Sequence, residues 1–331
     1  MPSRTKLALI AFLLIINVSF FAQAQVTNLR DLQRTAESFS QAFTQALPLN
    51  SSIGLNWADS HIGQLFPSIP PRFGIGVAAG FTTVNISEIA NLTEQIGAGG
   101  ELPDISRLLL PGYTIEARVG GFILPFDVGL KFGTLPNVAI MENFYVDYLL
   151  LGGDIRYAIF RRSPLNVSVG VGFSHLRGGI TARASGLGTS FSFVDPTTGN
   201  TRSFSIGDPE AGLFWRSTTL DFTAQVSRRF LIITPYLGLG ISHSWTAAGY
   251  DVRAAVTGDF DQDAIDRYLA GIPGINVSTS GITSTIYNNA IGARIFGGLA
   301  LNLAVFRVDL TGILCLRNAD YGLTLGLRFQ L

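Results

Sequence analysis

The chain is poor in the residues that carry most site chemistry. It has one cysteine, Cys315, so no internal disulfide forms, and that residue reads as a small packing group. It has three histidines, His61, His175 and His243, and no spacing singles out a nucleophile with its base. Lys plus Arg and Asp plus Glu balance at 23 each, which removes the basic footprint of nucleic-acid binding. After residue 24 no segment approaches the roughly 18 apolar residues of a transmembrane helix. Yet the mean hydropathy, +0.35, is high for a water-soluble protein. High hydropathy without helical spans fits strands that face lipid on alternate positions.

The front of the chain reads as an export signal. Arg4 and Lys6 precede an apolar run from Leu7 to Val18, and Ala22-Gln23-Ala24 gives a small-x-small cleavage site. The run is short for a spanning helix, which needs roughly 20 residues. The expectation is a signal peptide over 1–24, with the mature chain starting at Gln25. No cysteine follows the run, so no lipoprotein signal is expected.

Period-two alternation dominates the remainder. At the end of the chain Tyr321, Leu323, Leu325, Leu327, Phe329 and Leu331 fall on one face, and Gly322, Thr324, Gly326, Arg328 and Gln330 on the other. Nine further segments alternate likewise, beginning near Phe73, Tyr113, Phe126, Leu149, Leu165, Thr219, Tyr236, Ile291 and Phe306. Four weaker stretches, Phe191–Val194, Thr201–Ile206, Thr246–Val256 and Val277–Ile286, read as hairpins beyond the membrane or as extensions of a wall. The fold class expected is all-β: a transmembrane antiparallel β-barrel of ten to fourteen strands over 72–331. Connections near Pro125, Arg161–Pro164, Ser227–Phe230 and Asn302–Ala304 are short. Asn85–Pro111, Leu135–Phe144, Gly178–Gly212 and Ser244–Asn288 are long, and Arg317–Asp320 is a short exception on their side. Phe73, Phe126, Tyr157, Phe306 and Phe329 mark one rim in the outward phase, and Phe81, Tyr113, Phe132, Phe173, Phe214 and Tyr321 the other. A soluble sandwich would not sort aromatics to both ends of its strands.

The last strand, amphipathic with Phe329 near the terminus, resembles the closing strand of bacterial outer-membrane β-barrels. That resemblance implies the outer membrane as location, its lipids as surroundings, and recognition of this strand by the barrel assembly machinery.

Two features bear on function. The first is residues 25–71. Leu29, Leu32, Ala36, Phe39, Phe43 and Leu47 recur at helical spacing, and Pro48, Pro67, Pro70 and Pro71 are expected to end the helix. This segment reads as a plug inside the lumen, with Leu29, Leu32, Phe39 and Phe43 its apolar stripe, or as a periplasmic helix against the rim. The second is the inward phase, which carries Glu116, Arg118, Asp127, Lys131, Asp154, Arg156, Asp221, Arg294, Arg307, Asp309 and Arg328. Arg307 is expected roughly opposite Arg328, with Asp309 diagonal to both. Mixed signs argue for a network bracing the wall rather than an ion-selective filter.

The N-terminal segment, long outer loops and Gly-rich wall resemble FadL-like long-chain fatty-acid transporters. The resemblance implies an N-terminal hatch, a small hydrophobic solute and exit through the wall. An adhesin-type barrel that binds partners through loops 178–212 and 244–288 is the alternative. A lipid or peptide hydrolase, dependent on His175 or His243, is the least supported, and no enzyme activity is expected. No cofactor or metal is expected either. Asp259-Phe-Asp261-Gln-Asp263 lacks the Gly and terminal Glu of a calcium loop and reads as an acidic helix start at Asp263–Leu269. The arginine pairs Arg161/Arg162 and Arg228/Arg229 fall in short turns, where either contact with lipid phosphates or turn solubility accounts for them.

Overall fold

The computed structural model describes residues 29–63, 71–85, 107–121, 124–141, 143–160, 165–183, 189–194, 201–206, 208, 210–253, 256–258, 277–278 and 281–331. The signal sequence over 1–24, Pro67 and Pro70, Arg161 and Arg162, and the acidic run over 259–269 lie outside these residues.

One helix, α1 (Leu29–Asn50), precedes the strands β1 (Phe73–Asn85), β2 (Arg107–Gly120), β3 (Phe126–Met141), β4 (Phe144–Phe160) and β5 (Asn166–Arg183). Then come β6 (Thr189–Val194), β7 (Thr201–Ile206), β8 (Glu210–Ser227), β9 (Ile233–Arg253), β10 (Val256–Gly258), β11 (Val277–Ser278), β12 (Gly281–Leu303), β13 (Phe306–Cys315) and β14 (Tyr321–Gln330). Ten of these, β1 to β5, β8, β9 and β12 to β14, pair antiparallel in a closed ring, with β14 on β1 and β9 on β12. The ten clearly alternating segments are these ten strands. The weaker stretches sort as follows. β6 and β7 form a hairpin that pairs with β10 in a separate sheet. Thr246 to Arg253 and Gly281 to Ile286 are the loop-side ends of β9 and β12, paired as far as Val252 and Ile282. The connection expected over Leu135–Phe144 is largely strand, since β3 and β4 pair out to Met141 and Phe144.

The alternation works in reverse of a soluble protein. Ile75, Leu130, Phe222 and Ile291 point away from the barrel with 51%, 65%, 58% and 68% of their surface uncovered, while Arg118, Asp127 and Arg328 point inward and are buried. An apolar exterior around a polar interior is the arrangement that lipid selects.

Among the described residues β2 and β3 leave an unpaired stretch in the wall. Gly120 donates to Arg72 and Gly121 to Phe126, so odd-numbered β2 residues aim their backbone groups at β3. The β2–β3 ladder runs from Gly120/Asp127 to Ile115/Phe132 and stops, although both strands continue. Extending that register by four residues puts Pro111 opposite Pro136, and neither has an N–H to give. One step nearer, the Thr134 carbonyl accepts the Tyr113 hydroxyl. The loop-side half of the β2–β3 boundary is therefore an unpaired seam, with Gly133 still against the Tyr113 carbonyl at its start.

Candidate functional site

The lumen is occupied. Residues 29–63 enter at the loop side and leave at the turn side. Along the way α1 meets Trp215 and Thr246 near the loop ends of β8 and β9, and Asn50 donates to Thr82 and to the Leu110 carbonyl. Trp57 donates to Glu116 at 2.6 Å. Ser60 bonds Asn166 and Ser227 at the turn end, and Ile62 donates to Asp127 at 3.2 Å.

The helix passes Pro48, where the sequence pattern places its end. Pro48 cannot donate to the Thr44 carbonyl, which the Thr246 hydroxyl satisfies at 3.0 Å, and α1 continues to Asn50. The Leu47, Leu49 and Asn50 carbonyls accept the N–H groups of Ser51, Ser52 and Ile53, and the carbonyls just past the helix are met by the wall. Lys131 Nζ donates to Ser51 O at 2.6 Å and to Ile53 O at 2.8 Å, placing a cation where the helix dipole is negative. Gly54 and Leu55 then adopt left-handed conformations, φ 83° and 62°, the second unusual for a Leu, and the Leu55 N–H donates to Glu116.

The inward charges meet this segment in two groups. In the first, Asp127 holds both Arg118 and Arg156, Arg118 also reaches Asp154, Arg156 donates to the Asp59 carbonyl at 2.9 Å, and the His61 ring lies 3.6 Å from Asp127. In the second, Arg307 stands opposite Arg328 in register. Asp59 reaches Arg328 at 2.9 Å and Arg307 at 3.5 Å, while Asp309 sits 3.1 Å from Arg328 and accepts the Ala58 N–H. Trp57 is fully buried between the groups, with the Arg328 guanidinium 4.3 Å and the Arg118 guanidinium 5.4 Å from its ring centroids. It lies so close to β1 that a Cβ on Gly74 would come within 2.6 Å of the indole. Asp221 and Arg294 pair with each other beside a cavity of about 60 Å³ between wall and plug, lined also by Asp154, Ser174 and Gln225 and by Ser51, Ser52 and Leu55.

The loop-side half of the lumen differs. Phe43, Ala46 and Leu47 of α1 pack against Val84, Leu110, Leu150, Leu176 and Trp215, with Phe39, Leu108 and Leu135 at the edge. Leu29 and Leu32 lie on the first turns of α1, where only the backbone is described. This inward apolar group lies outside the charged set expected to line the lumen. Its signal was present at Leu150, Leu176 and Trp215, large apolar residues in the inward phase.

His175 and His243 face outward. His175 Nδ1 pairs with Thr218 Oγ1 at 2.9 Å, and His243 packs edge-on against Trp245. Arg228, in a short turn, lies over Phe230 at 4.6 Å.

Residues 114–329, the barrel wall from β2 to β14, match a family described as "Family of unknown function (DUF6588)". The chain belongs to this family. No curated protein matches it. Among solved structures the chain is similar to the outer membrane protease OmpT from Escherichia coli (13% identity, TM-score 0.39, covering 82% of this chain and 100% of that one). It is also similar to Ail, the attachment invasion locus protein of Yersinia pestis (11%, 0.29, 78% and 97%), and to the Ralstonia pickettii toluene transporter TbuX (9%, 0.25, 78% and 88%). None of these likenesses assigns this member of the family an activity.

Proposed function

We propose that the protein is an outer-membrane passage for small hydrophobic solutes, with residues 29–63 as its hatch. The observation that carries this reading is the apolar lining of the loop-side lumen, packed against α1 and reaching the β2–β3 seam at Leu108, Leu110 and Leu135. A general aqueous pore has no use for Leu150, Leu176 and Trp215 on its inner wall. An apolar lining beside an unpaired stretch of wall, uncovered when α1 shifts, suits a solute that enters from the loop side and leaves sideways into lipid. Past α1 the plug is held largely by hydrogen bonds and ion pairs, which water can replace as it undocks. The bacterial outer membrane as site, export through a cleaved signal peptide over 1–24, and recognition of β14 by the assembly machinery belong to the same proposal. The outward histidines read as membrane-interface residues rather than catalytic ones.

Uptake of a labelled aromatic hydrocarbon or fatty acid into proteoliposomes, together with single-channel conductance, tests this reading. Full-length protein is expected to be electrically closed and to pass the hydrophobic solute. A variant without residues 29–63 is expected to conduct steadily. A full-length protein with a large constant conductance, or one that passes no hydrophobic solute, sinks the proposal. The second reading, partner binding by the loop side, draws on the long β9 and β12 and the separate β6–β7–β10 sheet.

A further inference from the structure

The outward face of β5, β8, β9 and β12 changes character rung by rung toward the loop side. Phe173, Leu220, His243 and Ile291 form one row across the four strands, and His175, Thr218, Trp245 and Asn289 the next. In the third row stand Arg177, Arg216, Ala247 and Tyr287. Arg177 and Arg216 are directly opposite each other, both exposed, on the face that otherwise meets lipid. Like charges in cross-strand register are destabilising unless something lies between them.

Three other arginines toward this rim have carboxylates, whereas Arg317 in the β13–β14 turn has none among the described residues. Arg107 has Asp320, Arg183 has Glu210, and Arg253 has Asp251. Among the described residues Arg177 and Arg216 have none, and Arg216 contacts the Tyr287 ring at 5.8 Å. The neighbouring outward carboxylate, Asp147, faces Gly179 one rung further out and forms no ion pair with Arg177. Two planar guanidinium groups at the upper edge of an apolar belt, flanked by Trp245, Tyr287 and two histidines, have the chemistry of a phosphate clamp whose ligand carries acyl chains below it.

We propose that Arg177 and Arg216 bind the phosphorylated head group of a glycolipid in the surrounding outer leaflet, with Trp245 and Tyr287 against its sugar and acyl boundary. The site lies outside the lumen. It rests on the orientation adopted above, with the loop side outward, but not on the hatch.

The test is native mass spectrometry of full-length protein in detergent, titrated with bis-phosphorylated lipid A, with phosphate-free lipid A, and with the first lipid plus millimolar inorganic phosphate. The expected result is retention of the phosphorylated lipid, at least tenfold weaker binding by the R177Q/R216Q double variant, and no displacement by inorganic phosphate. Equal binding by the double variant, equal binding of the phosphate-free lipid, or displacement by inorganic phosphate overturns the proposal. Heat-modifiable gel mobility checks that the variant is folded. If the double variant is not, Arg177→Gln alone is compared on the two lipids, and equal loss of both overturns the assignment. Conductance of the same variants reports separately on the hatch and is expected to match the parent protein.

Discussion

Asp59 is the plug residue on which most electrostatic contact converges, and its replacement by Asn gives a quantitative expectation. Its carboxylate lies between Arg328 at 2.9 Å and Arg307 at 3.5 Å, two cations in direct register whose side chains are 1% and 8% exposed. Removing one partner of a buried pair costs about 3–5 kcal/mol, because a charge is left without compensation. Asp309, 3.1 Å from Arg328, stays in place and retains part of the balance, so the low end applies. At 1.4 kcal/mol per tenfold, about 3 kcal/mol raises the undocked population of the plug roughly a hundredfold. The wall itself loses no contact between strands, so barrel stability changes less than plug docking does. Planar-bilayer recording of full-length Asp59→Asn should show openings where the parent shows almost none, and Asp59→Glu should restore much of the closed time. An Asp59→Asn open probability within twofold of the parent would refute the view that this carboxylate holds the plug.

Further expectations follow from other contacts. Gly74→Val pushes Trp57 from its seat, so it should raise open probability and red-shift tryptophan emission, because a Cβ there already meets the indole. Replacing Pro111 by Ile and Pro136 by Thr returns two N–H donors to the β2–β3 ladder, so hydrophobic solute uptake should fall several-fold while conductance stays unchanged. A cysteine in place of Arg30, in a Cys315→Ser background, should react with impermeant maleimide added to the loop side only, because α1 points its N terminus that way. In the β13–β14 turn, burial pushes the Asp320 carboxyl up to about 6, against the pull of Arg107. The folded value lies above the unfolded one of about 4, so the native state keeps this proton longer. This turn's contribution to stability should therefore fall as pH rises from about 4 to about 6 and level off above. Amide exchange at Tyr321, whose N–H donates to Thr83, reads the effect.

The wall was legible because alternation is a local signal. Tyr321 to Gln330 reveals its two faces without knowledge of any partner strand, and the Arg307–Arg328 pairing follows from the position of one turn. What stayed hidden depends on contacts between distant segments. Pro48 looks like a helix end until Thr246, remote in sequence, takes over the carbonyl that it orphans. The inward charges were found as a set, but their partners on the plug, Asp59, Trp57 and the carbonyls of Ser51 and Ile53, lie in a segment with neither alternation nor helical period. Pro111 and Pro136 each look unremarkable alone. Their meaning comes from carrying the β2–β3 register on past its last pair, which sets them opposite each other.

The plug also bears on the order of assembly. The ring closes where the first strand meets the last, and both strands of that joint rest on the same indole: Gly74 of β1 makes room for Trp57, and Arg328 of β14 lies over it. Because residues 29–63 run from one rim to the other and continue into β1, a wall that closed first would leave them to be threaded through a finished ring. Wrapping the strands around a segment already in place avoids that step. It also makes the final ladder a test of occupancy, because an empty barrel would have to zip up with Arg307 and Arg328 facing each other across Asp309 alone.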